Sequence, residues 1–90
     1  MEEVLFESER RMNRSEIADL LRTVADNLDA GDAISLSAGE SSYSVDVPNR
    51  PTFEVKVERE TGSSGSELSV EFEMEWDENG GDDGGDLSIE

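Results

Sequence analysis

The sequence predicts an α+β domain in which one helix packs on one face of a mostly antiparallel five-stranded sheet, in the order β-α-β-β-β-β. Three observations predict it. A single stretch, residues 12–32, repeats its apolar residues at helical spacing and carries stop signals at both ends. Most of the other ordered stretches alternate apolar and polar residues with the period of two that a half-buried strand needs. The strands after the helix follow one another across short turn-rich connections, which suit hairpins rather than crossovers.

The first element is a strand over Glu3–Glu9 (EVLFESE). The helix follows. Asn13 suits the N-cap, Glu16 three residues on completes a capping box, and Met12 with Ile17 forms a hydrophobic staple. Ile17, Leu20, Leu21, Val24 and Leu28, with Ala18 and Ala25, make the apolar stripe. Gly31 is placed to end the helix in a left-handed conformation. After it, Ala33–Ser37 presents Ile34 and Leu36 on one side, and Ser42–Val47 presents Tyr43, Val45 and Val47. Pro48-Asn49-Arg50-Pro51 breaks the ladder, because proline lacks an N–H and restricts the residue before it. Thr52–Glu60 then offers Phe53, Val55 and Val57. A flexible loop, Thr61–Gly65, leads to the last strand, Glu67–Trp76, whose sequence ELSVEFEMEW sets Leu68, Val70, Phe72, Met74 and Trp76 against four glutamates. From Asp77 onward DENGGDDGGDLSIE is too glycine-rich and acidic to bury itself and reads as a flexible tail. The domain therefore spans 1–76 and the tail 77–90.

Charge dominates the composition. Twenty-four acidic residues oppose seven basic ones for a formal charge of −17. Lys56 is the one lysine. Residues 1–76 hold 18 acidic and 7 basic groups and residues 77–90 hold six acidic groups, so acid is spread along the chain rather than gathered in one interaction block. Such a surface matches a halophilic, salt-accumulating archaeal cytoplasm, where a screening length of about 3 Å quenches self-repulsion. Carboxylates at this density condense cations diffusely.

Several function classes are disfavoured. With neither cysteine nor histidine, the chain lacks thiolate and imidazole metal ligands and the commonest general base. No secretory leader or membrane-length apolar run is visible, which leads us to expect a cytoplasmic protein without membrane association. In the tail, Asp77, Asn79 and Asp82 resemble the start of a calcium loop, but Gly81 stands where the fifth ligand belongs. Glu71, Glu73 and Glu75 are about 7 Å apart along one strand face, a spacing that suits paired acid and base carboxylates. A flat, solvated face supplies neither the cleft nor the divergent pKa values that chemistry needs. Lys56 and Arg59, on the neighbouring strand, can pair across with some of these glutamates. The serines lack a nucleophile elbow and a histidine partner, and Gly62-Ser63-Ser64-Gly65 is not followed by a helix with a lysine. No catalytic residue, metal ligand or cofactor is expected, and the chain is not expected to be an enzyme.

Two surfaces remain as candidates. One helix covers about half of a five-stranded apolar face, taking about 10 Å of helix width against about 24 Å of sheet. Phe53, Phe72, Met74 and Trp76 are left as a candidate interface for a homodimer or a protein partner. Arg10, Arg11 and Arg14, clustered before and at the helix start, are the alternative: a phosphate contact assisted by helix amides. Flanking acids and the overall charge oppose nucleic-acid binding.

The Phe6-Glu7 strand, the helix MNRSEIADLLRTVADNLDAG, Val45-Asp46-Val47-Pro48, TFEVKVERE and the amphipathic strand ending in Trp76 together resemble the amphi-Trp domain family of archaea and bacteria. The resemblance covers about residues 3–76. It implies the domain boundaries and fold, and transfers no catalytic or ligand-binding residue.

Overall fold

The computed structural model describes residues 1–78. It contains one helix and four strands: α1, Arg14–Ala30; β1, Ile34–Ala38; β2, Ser41–Val45; β3, Thr52–Gly62; and β4, Gly65–Glu75. The α+β class holds. The five-stranded sheet does not: β1 pairs with β2 and β3 with β4, each as a separate antiparallel two-stranded sheet. The Pro48–Pro51 segment lies between β2 and β3, where two missing N–H groups interrupt the ladder. The chain divides there into two compact units, residues 1–47 and 48–90.

The first unit holds the helix. Its N-terminus is set as the sequence dictates. Asn13 has an extended backbone (φ −68°, ψ 152°) and forms a capping box with Glu16, whose Oε1 accepts a hydrogen bond from the Asn13 amide at 3.0 Å. At the other end Gly31 takes φ 75°, and the amides of Gly31 and Asp32 donate to Leu28 and Asn27 carbonyls at 3.2 and 2.9 Å. That double closure satisfies carbonyls a helix otherwise leaves open.

Next to the helix runs β1, whose alternation is kept: Ile34 is buried, at 7% exposure, and Leu36 is half-buried, whereas Ser35 and Ser37 are exposed. The expected strand over Glu3–Glu9 is absent; that segment is irregular. A strand exists through its ladder partner, and Val4-Leu5-Phe6 puts apolar residues on both parities, so no single register would bury them. Phe6 and Met12 nonetheless line, with Ile17, Leu20 and Ile34, an open hollow of about 440 Å³ in this unit.

The second unit is a long ribbon. Strands of 11 residues each run in register from Thr52↔Glu75 to Gly62↔Gly65. The Thr61–Gly65 loop is shorter than expected: the ladder continues to Gly62, leaving Ser63 and Ser64 as the turn, and Gly65 carries the positive φ of 128° that this close reversal requires. Threonine and serine extend the ladder at its tip, where the hydroxyls of Thr61 and Ser66 lie 3.2 Å apart in a hydrogen bond.

Candidate functional site: the apolar face of the β3–β4 ribbon

Register and pleat sort every side chain of the ribbon onto one of two faces. Rungs Phe53↔Met74, Val55↔Phe72, Val57↔Val70 and Arg59↔Leu68 belong to one face, and Thr52↔Glu75, Glu54↔Glu73, Lys56↔Glu71, Glu58↔Ser69 and Glu60↔Glu67 to the other. All seven carboxylates of the two strands therefore fall on one side.

The apolar side is open. Phe53, Val55, Val57, Leu68, Val70 and Phe72 are between 56% and 72% exposed. Among the candidate interface residues, Met74 and Trp76 are half-buried. Phe53 and Phe72, diagonal neighbours across the ladder, stack with ring centres 6.4 Å apart and planes inclined by 12°. Such a pair stabilises the ribbon by about 0.5–1.5 kcal/mol beyond its area. Trp76 stands one residue past β4 and continues the parity of Phe72 and Met74.

Arg59 is the exception on this face. We expected it, like Lys56, to pair across the strand with a glutamate. Lys56 does so, its Nζ 3.9 Å from Glu71 Oε1 between half-exposed side chains, a contact worth under about 1 kcal/mol. Arg59 has the opposite parity, directly across from Leu68. Among the described residues no carboxylate lies within ion-pair distance of it.

On the acidic face Glu54 and Glu73 are opposite one another. A hydrogen bond shared with Glu54 raises the Glu73 pKa above its usual value, and the charges of Glu75, Glu54 and Glu71 push it the same way. The row is a set of like charges, and among the described residues no cluster of three or more acidic side chains is arranged to hold a metal ion.

The arginine cluster is placed differently. Arg14 opens the helix and Arg10 and Arg11 precede it, all three exposed. Arg10 and Arg11 share an open hollow with Glu16 and Asp19, but Asp19 is already bound to Arg22 at 2.7 Å. No helix among the described residues is long and apolar enough to cross a membrane.

Helix caps, ribbon and the amphipathic strand before Trp76 together define a small α+β domain of the amphi-Trp type. The amphi-Trp domain family model matches residues 1–90, and the chain belongs to that family. The match includes the acidic segment after Trp76, beyond the stretch that carries the sequence resemblance. No curated protein and no solved structure matches the chain.

Sequence reasoning named Phe53, Phe72, Met74 and Trp76 but missed Val55, Val57, Leu68 and Val70 as parts of the same open surface. The signal was available: their parity equals that of Phe53 and Phe72. The sequence reading sets their parity toward the helix; all four are more than half exposed.

Proposed function

We propose that this chain is a non-enzymatic interaction module of a high-salt cytoplasm, and that it self-associates through the apolar face of β3 and β4. One observation supports this reading above the others: six large apolar side chains, contiguous over four rungs, are more than half exposed. A two-stranded ribbon is marginal in water by itself and needs packing on its apolar face, and a patch of this extent is unusual on a monomer.

A second copy of the chain is the occupant that fits. The exposed side chains amount to roughly 600 Å² of apolar surface per copy, somewhat below the ~800 Å² per partner of a standard stable interface. That size suits a reversible dimer. The seven carboxylates on the reverse face stay in water in such an arrangement, and two chains of charge −17 approach each other only where salt screens them.

Static light scattering in molar KCl tests the reading. The expected result is a dimer with Trp76 shielded from an ionic quencher, and a strictly monomeric mass at millimolar chain concentration overturns it.

A second reading has its own observation. Arg10, Arg11 and Arg14 have no carboxylate at ion-pair distance among the described residues, which leaves them available for phosphate. Retardation of DNA or RNA at moderate salt, lost when the three become alanine, is its test. No retardation removes it.

A further inference from the structure

The ribbon face is apolar but not electrostatically uniform. Phe53 and Phe72 stack at the end near the strand termini, with Trp76 just beyond. Arg59 occupies the end near the turn and is the only charged side chain of this parity in either strand. Its ring-facing possibilities within one copy are poor, because its cross-strand neighbour is Leu68 and its neighbours along the strand are Val57 and Thr61. A guanidinium with no carboxylate on its own face, and an aromatic pair with no cation on its own end, are complementary halves of one contact.

Resting on the self-association reading above, we propose that the dimer stacks the two ribbons face to face and antiparallel, so that Arg59 of each copy lies on Phe53 of the other. The geometry follows from the rungs. A two-fold axis running across the strands, between the Val55↔Phe72 and Val57↔Val70 rungs, reverses strand direction and exchanges the two ends of the face. Arg59 then opposes Phe53 of the second copy, Leu68 opposes Met74, Val57 opposes Val55, and Val70 opposes Phe72. Phe53 meets the flat guanidinium and Phe72 the smaller Val70, which suits two sheets packed about 10 Å apart, while Leu68 and Met74 meet each other. The contact is isologous, made twice by the same pair, and therefore closes at two copies.

The competing stack has its axis along the strands. It sets Arg59 against Leu68 of the second copy and brings both guanidiniums to the same end, within roughly 10 Å of each other. That arrangement leaves the cations unpaired and mutually repelling, while the aromatic ends gain only apolar contact. A cation over an aromatic face is favourable, and more so when desolvated. The arginine stem can lie along Val57 and Leu68 while the head group reaches across. Arginine also stacks flat on a ring, which lysine cannot do.

A double-mutant cycle on dimer dissociation decides between the stacks. Sedimentation equilibrium in molar KCl is run on the full chain, on Arg59→Met, on Phe53→Leu and on the combination. Methionine keeps the apolar stem, and both substitutions suit a strand edge. Because the contact occurs twice, Arg59→Met is expected to weaken the dimer about 5- to 30-fold. In the Phe53→Leu background the same change is expected to weaken it less than half as much on a logarithmic scale. A dimer whose dissociation constant moves less than twofold with Arg59→Met, or whose two substitutions multiply independently, overturns the antiparallel stack and leaves self-association standing. A parent chain with no dimer at all overturns both.

Discussion

The helix of the first unit and the ribbon of the second are specified in opposite ways. Around α1 the instructions are local: Asn13 and Glu16 close one end within four residues, and Gly31 closes the other. In β3 and β4 the backbone pairing is complete over 11 rungs, yet the apolar face it creates is open. Local signals therefore suffice to start and stop an element, while a sheet face is completed only by whatever is laid upon it. Changes near the caps should alter folding without altering association, and changes on the ribbon face should do the reverse.

The largest expected effect is on the ribbon. Phe72→Glu places a carboxylate on a central rung, twice per dimer, and should weaken association by about 30-fold or more, the scale of a buried aromatic anchor. Far-ultraviolet circular dichroism of the helix should be unchanged. The milder Val57→Thr keeps the β-branched shape while removing apolar surface, so it separates loss of contact from loss of the ribbon. If both variants lower helix content as much as they lower dimerisation, the division between the two modes of specification is wrong.

Next comes the helix stop. Gly31 is left-handed, and nothing lies within 4 Å of where a β-carbon would project. Gly31→Ala therefore tests backbone conformation without a steric clash. The expected cost is about 1–2 kcal/mol, read as a lower midpoint in thermal unfolding. Asn13→Ala at the start should cost about 1 kcal/mol. Neither should move the dimer dissociation constant once the chain is folded, and a shift in that constant would show that the helix takes part in the interface.

Much of this fold is legible in the sequence because its signals act over a few residues. Asn13, Glu16 and Gly31 mark α1 to within a residue, and the parities of β1, β3 and β4 follow from alternation alone. What the sequence leaves open depends on longer range. Alternation assigns Phe53 and Phe72 to one face but does not say what the face meets, so the number of strands in the sheet was overestimated. The Glu3–Glu9 segment shows the same limit, since its residues suit a strand and no ladder partner is provided. Arg59 shows a different limit: it shares the parity of Phe53 and Val57, which sets it across from Leu68 and away from the glutamates. The part of the tail after Glu78 lies outside the described residues.

Salt separates the two regions further. If the carboxylate surface is an adaptation to molar salt, unfolding midpoints should rise steeply from dilute buffer to molar KCl. The rise should be larger for the ribbon, where seven glutamates share one face, than for the helix. Amide hydrogen exchange reads the two separately, and equal protection gains in both would place the effect in the chain as a whole.

The smallest effect is also the most local. Glu73 faces Glu54 across the ladder, with Glu71 and Glu75 beside it on the same face, and its pKa is raised by that hydrogen bond and those charges. A carboxyl group whose folded pKa exceeds its unfolded value binds its proton more tightly in the folded chain. Its favourable contribution is complete below the unfolded pKa, near the usual 4.5, and fades as pH rises through the higher folded value. At neutral pH the ionised Glu73 opposes the ribbon. Glu73→Gln should therefore raise ribbon stability slightly at pH 7 and flatten its dependence between that usual value and neutrality. Because the other carboxylates titrate in the same range, the comparison is the difference between variant and parent at each pH. A parent that gains nothing relative to Glu73→Gln on acidification would show that the proton shared with Glu54 contributes nothing to folding. A difference that vanishes in molar KCl would assign it to screened charge repulsion, and one that persists would assign it to the hydrogen bond, which salt screens far less.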